Sequence, residues 1–121
     1  MSLPKPPDTF VEFSREFPAV AEAWRLAQLA GESGPLDAKS QRLVKLAIAV
    51  GTGRDGAISS AVRKGLASGV TAAEIDQVLA LAAGTVGFPA TVAAYTTVRR
   101  AQAKSGEGAT PPVFGSAAGE L

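Results

Sequence analysis

Apolar residues recur along this chain at helical spacing, and no stretch alternates apolar and polar as a half-buried strand would. Phe10, Phe13 and Phe17 follow one another at i, i+3 and i+7, which gives one apolar helix face. Thr9 and Glu12 precede that face at capping-box spacing, so a first helix is expected to start near Thr9. Pro18 has no N–H to continue the ladder and should break or restart this helix. Val20, Ala23, Trp24, Leu26 and Leu29 carry the period on to Ala30, where Gly31 and then Gly34-Pro35 end it.

Asp37 is a suitable N-cap for a helix over 38–50, with Gly51 and Gly53 as its stop. Its apolar residues, Leu43, Val44, Leu46, Ala47, Ile48 and Val50, cover most of the circumference, which predicts burial all round. Asp55 is placed to cap a helix over 56–68, closed by Gly69. Thr71-Ala72-Ala73-Glu74 is a second capping-box match, opening a helix with Ile75, Val78, Leu79 and Leu81 as its core stripe and Gly84 and Gly87 at its end. Pro89 suits the first position of a last helix reaching about Lys104, because its missing N–H would be unbonded there anyway. The pattern predicts an all-α protein with one domain of about five to six helices over residues 9–104. Residues 1–8 are expected to be flexible. The Gly-, Ala-, Ser- and Pro-rich residues 105–121 are expected to be flexible too, or draped over a partner through Phe114.

Composition narrows the chemistry. Hydrophobic residues make up 46% of the 121 residues and charged ones only 19%, so some apolar surface lacks a polar cover and self-association is expected. A net charge of +1, with Arg99 and Arg100 adjacent but not part of a patch, gives no array for a phosphate backbone, and no nucleic-acid partner is expected. Met1–Pro7 holds no apolar signal core, and a cytoplasmic location is expected. Residues 78–98 carry no charge, but Gly84, Gly87 and Pro89 interrupt them, so they read as a buried helix–turn–helix and no membrane partner is expected. The chain has no Cys and no His. Disulfides, thiol catalysis, metals ligated by Cys or His, and an imidazole base are therefore excluded, and no cofactor is expected.

Residues 36–103 resemble the carboxymuconolactone decarboxylase family, which includes the AhpD-like alkylhydroperoxidases. The resemblance rests on LDAKSQRLVKLAIAV at 36–50 and GRDGAISSAVRKGLASGVTAAEIDQVLALAAGTVGFPATVAAY at 53–95. Its features are the Leu-Asp helix start, the small-residue helix ending at Gly69, the Gly-Val-Thr-x-x-Glu-Ile turn and the Gly-x-Pro before the last helix. The run 55–60 looks closer to the decarboxylase branch. The resemblance implies an AhpD-like helical domain and dimers built into trimers or hexamers. It also implies a CxxCxxxH motif opening the third helix and a Glu on the helix before it. Counted back from Gly69, the two Cys positions fall on Arg54 and Ala57, the His position on Ala61 and the Glu position on Arg42. All four are substituted. A dithiol peroxidase reaction therefore has no sulfur, and the decarboxylase branch loses its acid–base group.

The corresponding pocket would hold Arg42, Arg54, Ala57, Ser60 and Ala61, with Asp55 and Tyr95 as neighbours. Two arginines there would suit a small organic acid or lactone, since a guanidinium grips a carboxylate with two parallel hydrogen bonds. The alternative at these positions is that both arginines are solvated or paired with Asp37 and Asp55. Ser60 lacks an activating His, and Lys64, four residues on, is only a weak base for it. Trp24 reads as a core or interface anchor. Three functions follow as expectations: a ligand-binding relative with family activity lost or altered, an oligomeric structural or regulatory protein, or a decarboxylase- or peroxidase-like enzyme with relocated catalytic groups. An open cavity holding both arginines would favour the first, and a filled one the second.

Overall fold

Local chemistry sets the starts of three helices. In the computed structural model, which describes residues 3–105, six α-helices succeed one another: α1 Asp8–Glu16, α2 Pro18–Glu32, α3 Ala38–Thr52, α4 Asp55–Ala67, α5 Ala72–Val86 and α6 Phe88–Ser105. The Asp37 carboxylate accepts from the Ser40 amide at 2.7 Å, and this bond holds its carboxyl below the usual range. Thr71 and Glu74 form both halves of a capping box, at 3.1 and 2.8 Å. Glu74 also meets Lys39 at 2.8 Å and so ties α5 to α3. Pro18 restarts the chain as the first residue of α2, and Gly53 ends α3 in the left-handed region at φ 70°.

Four sequence expectations are corrected. Thr9 caps nothing: α1 starts one residue earlier, behind an extended Pro7 that has no side-chain acceptor, so Thr9 already lies inside the helix. Asp55 is the first residue of α4 rather than its cap, and its carboxylate accepts from the Thr97 hydroxyl of α6 at 2.9 Å. Gly51 and Gly84 lie within α3 and α5, which continue to Thr52 and Val86. Finally, α3 is not buried all round. Leu46, Ala49 and Val50 are buried, whereas Val44 is 44% exposed and Ile48 61%, because α4 and α5 cover only one side of the helix.

The core sits among α3, α4, α5 and α6. Leu46 and Val50 meet Ile58 and Val62 of α4, Ile75 and Leu79 of α5, and Ala94, Val98 and Ala101 of α6 in one cluster. The small residues of α6 let its backbone lie close to α4 and α5. At the α5–α6 contact, Asp76 and Arg99 approach to 3.8 Å. Burial pushes the Asp76 carboxyl up, against the opposite pull of Arg99 and Gln102.

α1 and α2 pack mainly on each other, through Phe10 and Trp24 edge-to-face at 5.5 Å, and neither helix contains a buried residue. The expected tail beyond Ser105, with Phe114, lies outside the described residues. Among the described residues no helix is long and apolar enough to cross a membrane.

Candidate functional site

One face of α3 and one face of α4 look onto α2 across an open cavity of about 390 Å³. Helical spacing brings the walls together. Arg42, Lys45, Ala49 and Thr52 recur every three or four residues along α3, and Ala57, Ser60, Ala61 and Lys64 do the same along α4. Arg54 joins from the position just before α4, and α2 adds Trp24 and, one turn later, Gln28. The cavity thus gathers Arg42, Arg54, Ala57, Ser60 and Ala61, which the sequence places at the family-equivalent pocket. The alanines and Ile48 give its lining an apolar part, and four cationic side chains join it without a carboxylate.

Asp55 and Tyr95 do not line it. The Asp55 carboxylate is taken by Thr97. Tyr95 lies on α6, which gives no residue to this cavity, and the Arg99 guanidinium sits 5.0 Å above its ring. Neither Asp37 nor Asp55 forms an ion pair with Arg42 or Arg54: the ion pairs among the described residues are those of Arg25, Lys39 and Arg99. Arg42 and Lys45 also border a smaller recess of about 290 Å³ that includes Glu32.

Sequence reasoning did not assign Trp24, Gln28 and Lys45 to the site. Lys45 was findable, since it lies one turn after Arg42 on the same face. Trp24 and Gln28 were not, because the turn at 33–36 decides where α2 lies. Lys45 Nζ donates to Gln28 Oε1 at 2.7 Å, one of the few bonds that hold α2 against α3. Lys64 Nζ lies 5.4 Å from the Trp24 ring centroid.

The electrostatics are one-signed. Burial first, and then the charges of Arg42, Lys45 and Arg63, hold Lys64 below the usual lysine pKa. An arrangement of guanidinium and ammonium groups beside apolar side chains can bind an anion with an apolar body. Among the described residues no group of acidic side chains could hold a metal ion. A larger groove of about 580 Å³ lies between α3 and α5, walled mainly by apolar residues such as Val44, Val78 and Leu81. Glu74 is the one charged residue in its wall, so it has no comparable charge cluster.

Compared with known protein families, residues 15–100 match the model of the Carboxymuconolactone decarboxylase family. That span runs from α1 into α6 and contains every residue of the cationic cavity. No curated protein and no solved structure matches the chain.

Proposed function

The chain belongs to the carboxymuconolactone decarboxylase family, and from that premise we propose that its cavity binds a small organic acid or lactone and that the family's thiol and histidine chemistry has been lost from it. The observation that carries this reading is the rim of Arg42, Lys45, Arg54 and Lys64, gathered around one cavity with no carboxylate in its lining. Like charges held together cost stability, and an anion seated among them relieves that cost. Arg42 and Arg54 occupy the positions where the resemblance expects a Glu and a Cys, so the substitutions turn a proton-handling site into an anion-holding one.

The only Trp of the chain reports on this cavity. Titration with benzoate is expected to give a saturable change in Trp24 fluorescence that weakens as salt rises. Benzyl alcohol, similar in shape but uncharged, is expected to give none. A response that is flat for benzoate, or equal for the alcohol, would remove the anion site and favour a structural or regulatory role.

A separate observation favours self-association. Phe13, Phe17, Val20, Leu26 and Leu29 of α1 and α2 and the intervening turn are exposed, and Phe88 at the start of α6 is 74% exposed. Large apolar side chains left exposed in this number are costly in water, and a second copy of the chain can cover them. Sedimentation at micromolar concentration is expected to give a homo-oligomer. A stable monomer would contradict this.

A further inference from the structure

Lys64 stands apart from the other two lysines that α3 and α4 carry. Lys39 is paired with Glu74 at 2.8 Å, and Lys45 donates to Gln28 at 2.7 Å. Lys64 forms no ion pair among the described residues. Half-buried, it faces Trp24 from α2, Arg42 and Lys45 from α3 and Arg63 on its own helix. Every charged neighbour is a cation. Burial and the three cations ease the loss of its proton, and the Trp24 ring lies 5.4 Å from Nζ. A neutral lysine amine is a nucleophile, whereas an ammonium is not. Desolvation and adjacent positive charge are two ways in which a protein activates a lysine toward carbonyl groups.

We propose that Lys64 is an imine-forming residue and that the cavity takes a small oxo acid, whose carboxylate Arg42 and Arg54 hold while Nζ attacks its ketone carbon. The inference rests on the anion-binding reading above. In the step, the amine lone pair forms a C–N bond as the carbonyl π bond breaks, and one N–H proton passes to the oxygen, giving a neutral carbinolamine. One proton taken from solvent lets the hydroxyl leave as water as the C=N bond forms, and the product is a protonated imine that keeps the lysine's second N–H proton. No oxidant or metal is required, and hydrolysis returns the free lysine. Ser60, one turn earlier on α4 and in the same wall, offers a hydroxyl to the departing oxygen.

The test uses the full chain, pyruvate and sodium cyanoborohydride, which reduces an imine to a stable secondary amine. Intact mass is expected to show one adduct per chain, and peptide mapping should place it on Lys64 rather than on Lys5, Lys39, Lys45 or Lys104. Excess benzoate should slow the labelling, and K64R should abolish it. Labelling spread evenly over the lysines, or persisting in K64R, would overturn the proposal. A saturable benzoate titration with no adduct on Lys64 would also overturn it while leaving the anion site in place. An adduct on Lys64 with a flat benzoate titration would keep Lys64 as the imine-forming residue but overturn the hold of Arg42 and Arg54 on the carboxylate, so the two failures are told apart.

Discussion

Ile58→Ala is expected to lower the unfolding free energy by about 2–5 kcal/mol, the range for truncating a buried large aliphatic side chain to Ala. Ile58 is 1% exposed and belongs to the cluster in which α3, α4, α5 and α6 meet. That cluster is rich in Val and Ala, and only Leu46, Ile58, Ile75 and Leu79 are large. A domain of this size is stable by roughly 5–15 kcal/mol, so one deletion here removes a large share of the total. The neighbours are helix-borne and cannot easily close on the vacated space, which places the cost above simple transfer from water. Urea denaturation should show the midpoint move sharply down. Ile48→Ala, a change of the same chemistry at a position 61% exposed, should move it by less than about 0.5 kcal/mol. Equal shifts for the two variants would mean that the core is not where these helices place it.

The contrast between Ile48 and Ile58 also shows where the sequence stops being legible. Helical periodicity finds α3, but a helix apolar around most of its circumference does not say which side its neighbours will cover. Only the docking of α4 and α5 decides that Leu46 is inside and Ile48 outside. Caps divide in the same way. Thr71–Glu74 and Thr9–Glu12 have identical spacing, yet only the first pair forms a capping box, because Thr71 leaves helical dihedrals while Thr9 is drawn into a helix that begins behind Pro7. Asp55 looks like a cap from its neighbours in sequence, and its actual partner, Thr97, lies 42 residues away.

The cavity is legible on the two helices whose facing surfaces the family resemblance fixes. Arg42, Arg54, Ala57, Ser60 and Ala61 fall together around one cavity. Its third wall is not legible, since Trp24 and Gln28 belong to a helix with no buried residue and few ties to the core. Charge was legible only as a list. That four of the chain's cations converge, with no acid among them, is a property of the packing.

The same convergence makes the double variant R42E/R54E the most decisive change at the site. Benzoate affinity is expected to fall by about 100-fold or more. A hydrogen bond to a charged group contributes about 1.5–3 kcal/mol, and each 1.4 kcal/mol is about tenfold in affinity. Losing two arginine contacts therefore reaches that figure before repulsion between benzoate and the new carboxylates is added. The variant should fold as well as the parent, because two acids beside Lys45 and Lys64 replace repulsion with attraction, and an unchanged urea midpoint checks this. The new carboxylates would also favour the ammonium form of Lys64 and so slow its labelling by pyruvate. Benzoate binding that survives the double reversal at parental affinity would place the anion elsewhere and leave the cationic rim without a ligand.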